Sequence, residues 1–117
     1  MADWTAAQLR NAVLVRLGIT GQGQTASGAD AQLVDDVFTS VHAQLRKKGY
    51  APFLTSAVPD WAKQPLTDYV AWKVYPAFGF TGQREASIVN NGREGERELV
   101  AQAGGVKAAH PTRAEFF

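Results

Sequence analysis

Residues 27–49 read SGADAQLVDDVFTSVHAQLRKKG, and this stretch sets the fold class. Leu33, Val37, Val41 and Leu45 recur every fourth position, and Val34 and Phe38 widen that line into a face broad enough to enter a core. Ser27 and Asp30 form a capping pair at the head of the run, and Asp30, Asp35 and Asp36 favour the positive end of a helix. Arg46, Lys47 and Lys48 fall in the last turn, where cations meet the negative helix end, and Gly49 supplies the stop. The three cations also admit a reading as a DNA patch, although helix-end electrostatics accounts for them without one. This is an amphipathic helix, and its wide apolar face needs partners.

Toward the N-terminus, Thr5 and Gln8 have the spacing of a capping box, with Trp4 and Leu9 placed as a hydrophobic staple. Leu9, Val13 and Leu17 line one face, and Gly18 ends the run with Ile19 folding back, which predicts a helix over 6–17. The intervening stretch GITGQGQTASGA holds a Gly-x-Gly at Gly21 and Gly23. A phosphate loop would need GxxxxGK[ST] after a strand, or a third Gly entering a helix, and neither is present. It reads as a connector.

Toward the C-terminus, residues 50–60 (YAPFLTSAVPD) are too apolar for a free linker, so Tyr50, Phe53 and Leu54 are expected to fold back onto the core. A sheet is not expected there, because nothing else in the chain offers a strand partner. A third helix follows and ends near Ala77. Starting it near Gln64 puts Pro65 in the tolerated first turn, with Trp61 in a preceding single turn. Leu66, Tyr69, Val70, Val74 and Phe78 form its inner face, and Pro76 and Gly79 terminate it. A polar helix over about 83–103 carries Glu85, Arg93, Glu94, Glu96, Arg97 and Glu98 outside and Ile88, Gly92, Gly95, Leu99 and Ala103 inside. Two glycines inside a helix cost about 1 kcal/mol each relative to Ala, which makes sense if a neighbouring helix approaches closely there. Gly104 and Gly105 are read as its end. The remaining residues, Val106 to Phe117 (VKAAHPTRAEFF), lack periodicity and finish on two phenylalanines. Exposed aromatics are unfavourable in water, so Phe116 and Phe117 either return to this core or bury in a partner. The expected architecture is all-α, an antiparallel four-helix bundle over 1–105 with an extended C-terminal arm over 106–117.

Composition narrows the function. The 117 residues carry 12 basic and 11 acidic side chains, a formal charge of +1, and no cysteine. Near-neutrality argues against a dedicated nucleic-acid binder. The absence of cysteine removes disulfides, a thiolate nucleophile and cysteine-ligated metals. No apolar run approaches the roughly 18 residues of a membrane span, and no signal peptide opens the chain, so a soluble protein made in the cytoplasm is expected. His42 and His110 are far apart, on a helix and in the tail, and His42 is expected to face solvent. There is no HExxH or GxSxG motif. Asp35 and Asp36 point about 100° apart on a helix and cannot share one site. The Glu94/Glu98 pair, flanked by Arg93 and Arg97, reads as a surface charge lattice. No enzyme and no cofactor are expected. A helix-turn-helix is disfavoured too, since the first connection runs to about twelve residues where that motif uses three or four.

The order of these signals carries a resemblance. It runs through Arg16-Leu17-Gly18-Ile19, the loop Gly21-Gln22-Gly23-Gln24, the Asp-led helix closing at Leu45 and Gly49, and Val58-Pro59-Asp60-Trp61. It continues through Leu66, Val70 and Ala71, then Phe78-Gly79, a glycine-bearing helix and a basic, proline-containing tail. From about residue 5 to 117 the chain resembles the head-to-tail adaptor (connector, head-completion or tail-accessory) proteins of tailed bacteriophages. The resemblance implies a structural virion protein assembled in the host cytoplasm, commonly as a dodecameric homo-oligomer ring at the head–tail interface. Its partners would be a portal protein on one side and a tail or nozzle protein on the other. Double-stranded DNA would pass non-specifically through the lumen. Carried onto this sequence, Val106, Lys107, His110, Pro111, Arg113, Phe116 and Phe117 are the implied portal contacts. Arg93, Glu94, Arg97 and Glu98, a mixture of charges, suit a head-to-tail contact between subunits. A small helical DNA-associated protein using Arg46, Lys47, Lys48 and the tail cations, or a bacterial oligomeric scaffold, is the alternative.

Overall fold

Among the described residues, four helices make up the fold. The computed structural model describes residues 2–21 and 27–108, with backbone alone for 104–108. Within them lie α1 (Ala6–Leu17), α2 (Gly28–Lys47), α3 (Asp60–Val74), a 3-10 turn (Tyr75–Phe78) and α4 (Gly82–Ala108). The chain is an all-α four-helix bundle, as expected.

The ends of α1 and α2 form as the sequence predicts. Thr5 Oγ1 accepts the Gln8 amide at 3.2 Å while Gln8 Oε1 accepts the Thr5 amide at 2.8 Å, completing the capping box. At the other end Gly18 takes φ 77°, and the Ile19 and Gly18 amides donate to the Leu14 and Val15 carbonyls. Gly49, at φ 85°, does the same for α2, with the Tyr50 amide on Leu45 O and its own amide on Arg46 O. These are Schellman closures, in which a left-handed glycine turns the backbone back to satisfy otherwise orphaned carbonyls. Ser27 caps α2 by accepting the Asp30 amide.

Helix α3 is the central element and packs against α1, α2 and α4. It buries Ala62, Pro65, Leu66, Thr67, Tyr69, Val70, Ala71 and Val74. Leu9, Val13, Leu14 and Leu17 of α1 and Val34, Phe38, Val41 and Leu45 of α2 complete the core. Its start differs from the expectation near Gln64: the helix begins at Asp60, with Pro59 as N-cap and Pro65 inside. Pro65 has no amide to give the Trp61 carbonyl, a local cost of about 3 kcal/mol. Burial of Pro65 and its neighbours against the other helices outweighs that cost.

The connector 50–59 divides. Tyr50 and Phe53 pack on the core and Ala51 is buried, but Leu54 is 57% exposed, against the expectation that it folds back. No strand forms among the described residues, as expected, but an isolated bridge does. Trp4 and Val58 exchange both amide–carbonyl hydrogen bonds at 2.9 Å, a single antiparallel rung that ties the N-terminal residues to the connector.

Helix α4 runs antiparallel to α3, since Gly92 lies at Trp72 and Gly95 at Pro65. Ile88, Gly92, Gly95, Leu99 and Ala103 are all buried, as the periodicity requires. Gly104 and Gly105 do not end it. The helix continues to Ala108, because a glycine pair stops a helix only by leaving helical dihedrals. Val106 and Lys107 are therefore helical rather than the first residues of an extended arm. His110, Pro111, Arg113, Phe116 and Phe117 lie outside the described residues.

Candidate docking surfaces

The seam between α3 and α4 rests on two missing side chains. A Cβ at Gly92 would stand 2.3 Å from Trp72 Cβ, and one at Gly95 would stand 2.5 Å from the Pro65 carbonyl oxygen. The glycines let α4 lie directly on the α3 backbone. That close approach sets which side chains flank the seam. The root of α4 is fixed as well. Arg84 donates to the Leu17 carbonyl at 2.6 Å, covering the end of α1, and the Tyr75 hydroxyl donates to Glu85 Oε2 at 2.6 Å. The Glu85 carboxylate favours the protonated phenol and pushes the Tyr75 pKa up.

Along one side of the seam runs a groove of about 350 Å³, lined by Asp60, Trp61, Gln64, Pro65, Asp68, Glu94, Gly95 and Glu98. Its floor is apolar, its rim holds four carboxylates, and no cation lines it. Each carboxylate has some company nearby. Asp60 pairs with Lys63, and Glu94 with Arg97 one turn on. Glu98 accepts from Gln102 at 3.2 Å. Asp68, at the inner edge, receives Arg16 Nη1 at 2.6 Å. Burial nevertheless pushes the Asp68 carboxyl above its ordinary range, and Arg16 opposes that only in part.

The structure places Arg93, Glu94, Arg97 and Glu98 on the solvent side of α4, all exposed. It separates them by role, since Glu94 and Glu98 line the groove and Arg93 and Arg97 do not. A second recess, of about 560 Å³, lies between α1 and α3 and is bordered by Trp4, Ala12, Val15, Arg16, Gln64 and Thr67, with Asn11 at its edge. At the far end of α2, Arg46, Lys47 and Lys48 are exposed. No protein-family model, curated protein or solved structure matches this chain.

Two residues singled out for possible chemistry turn out to be structural. His42 does not face solvent. It is 6% exposed, with Nε2 2.6 Å from the Phe53 carbonyl, and its ring meets those of Phe38 and Phe53. Nε2–H donates to that carbonyl and pins the connector to α2. Asp35 and Asp36 point apart as predicted, Asp35 toward Arg10 of α1 at 3.1 Å and Asp36 toward Gln32 at 2.8 Å. Among the described residues, no three His, Asp or Glu side chains cluster as a metal site requires. No helix among them is long and apolar enough to cross a membrane. Gly23 of the Gly-x-Gly lies outside the described residues. The groove was invisible to sequence reasoning because it joins Asp60 and Trp61 to Glu94 and Glu98. Only the register set by Gly92 and Gly95 brings these together.

Proposed function

We propose that this protein is a structural head-to-tail adaptor of a tailed-phage virion, a ring subunit between portal and tail through which DNA passes. The observation that supports it best is α4, whose 27 residues span about 40 Å. Its inner face is spent on α3, while its outer face leaves Arg93, Glu94, Arg97 and Glu98 free of the core. It therefore offers a charged flank to a neighbouring copy. The portal contacts would come from Val106 and Lys107 at the helix end, then His110, Pro111, Arg113, Phe116 and Phe117. Burying each Phe would contribute about 1.5–3 kcal/mol, opposed by the cost of ordering the segment. Repetition around a ring would multiply such modest contacts through effective concentration.

Deleting residues 109–117 tests this while leaving α4 whole. The truncated chain should keep its helical circular dichroism and lose co-sedimentation with portal rings. Undiminished portal affinity would refute the assignment of the tail. The exposed Arg46, Lys47 and Lys48 favour a second reading, a DNA-associated protein. That reading predicts duplex binding with a steep salt dependence. The net charge of +1 and the acidic groove count against it.

A further inference from the structure

We propose that the acidic groove between α3 and α4 receives the basic end of α2 from a second copy of this chain. Arg46, Lys47 and Lys48 of one copy would then face Asp60, Glu94 and Glu98 of the next. This deepens the ring reading and rests on it only for closure of the assembly.

Beyond complementing the negative end of the helix, the cations at the end of α2 hold no internal partner. The carbonyls that a basic side chain might cap are already taken by backbone amides, Leu45 O by Tyr50, Arg46 O by Gly49 and Gln44 O by Lys48, at 2.8–3.2 Å. Elsewhere the cations are engaged. Arg10, Arg16, Lys63 and Arg97 each hold a carboxylate, Arg84 holds the Leu17 carbonyl, and Lys73 Nζ lies 3.8 Å from the Trp72 ring centroid. Among the described basic side chains, only Arg46, Lys47, Lys48 and Arg93 have neither an ion pair nor a hydrogen bond nor an aromatic face. Three of these four are consecutive.

The groove has the complementary character. No cation lines it, although Asp60, Asp68 and Glu94 each pair with one from outside the lining, and no residue of α2 lines it, so the basic end does not occupy its own groove. The Glu94–Arg97 pair is more than 70% exposed on both partners, so re-pairing Glu94 costs little. Trp61 and Pro65 on the floor suit the aliphatic stems of Lys and Arg, and the Trp61 ring suits a cation. The two patches differ, so each copy would use one on each neighbour. That is a heterologous contact, the kind that propagates until it closes into a ring.

Charge reversal in the full chain, read by analytical ultracentrifugation, tests this. The wild type should self-associate, about tenfold more weakly at high than at low salt, as screened contacts require. Lys47→Glu/Lys48→Glu and Glu94→Lys/Glu98→Lys should each abolish assembly, with helical circular dichroism retained because all four positions are exposed. Mixed, the two variants should co-assemble in strict alternation, because the native groove of one meets the native basic end of the other and the reversed groove meets the reversed end. All four reversals in one chain should restore assembly. Wild-type assembly by either single-patch variant would overturn the proposal, as would a mixture that stays monomeric. Loss of duplex DNA binding by Lys47→Glu/Lys48→Glu with assembly unchanged would also overturn it, and would assign the cations to DNA. Portal binding by a wild-type chain that never self-associates would sink this contact and leave the adaptor reading intact. Patch-dependent assembly without portal binding would do the reverse.

Discussion

Gly92 and Gly95 carry more of the architecture than any apolar side chain on α4. Alanine at either would gain about 1 kcal/mol in helix propensity, yet its methyl would overlap Trp72 Cβ or the Pro65 carbonyl, atoms held by the α3 backbone. Overpacking of this kind costs about 1–3 kcal/mol, so Gly92→Ala and Gly95→Ala should both lower the midpoint of chemical denaturation. A rise in midpoint would mean the seam is looser than described. Asp68 gives a second test at this scale. Its native pKa is raised by burial more than Arg16 lowers it, so the folded state holds this proton more tightly than the unfolded chain does. The associated stability is fully present below the ordinary aspartate value of about 4 and is lost as pH rises through the native value. The stability of the wild type relative to Asp68→Asn should therefore fall as pH rises above the ordinary aspartate range. A difference that grows with pH would show Arg16 dominating.

The elements were legible where a local device fixes them. Thr5 with Gln8, Ser27 with Asp30, Gly18 and Gly49 mark α1 and α2 to within a residue, because caps are short-range chemistry written in adjacent positions. Pro65 misled because its penalty is local while its compensation comes from α4, 30 residues later at Gly95. Gly104 and Gly105 misled because glycine permits a stop without requiring one. His42 misled for a third reason. The stripe Leu33, Val37, Val41, Leu45 is real, but the burial centre lies on Val34, Phe38, Val41 and His42, where Phe53 of the connector closes over it. Replacing His42 by Leu keeps the bulk and removes the donor to the Phe53 carbonyl. A loss of about 1–3 kcal/mol is expected, with amide exchange quickened first in residues 50–58. Protection unchanged there would show that packing alone holds the connector.

On the scale of the whole molecule, the fold was readable as four helices around one core, but its surfaces were not. The charges of α4 looked like a uniform lattice from their spacing. Only the helix crossing divides them into a groove-lining pair, Glu94 and Glu98, and an outward pair, Arg93 and Arg97. The grip of Arg84 on the last carbonyl of α1, together with the Tyr75–Glu85 hydrogen bond, has a mechanical consequence. Tension on the far end of α4 along its axis is borne as shear, shared at once by the glycine seam and the anchored root. A sideways tug peels the same helix from its tip, one contact after another. The molecule is thus stiff in one direction and compliant in another, and α4 behaves as a strut whose strength depends on the angle of pull.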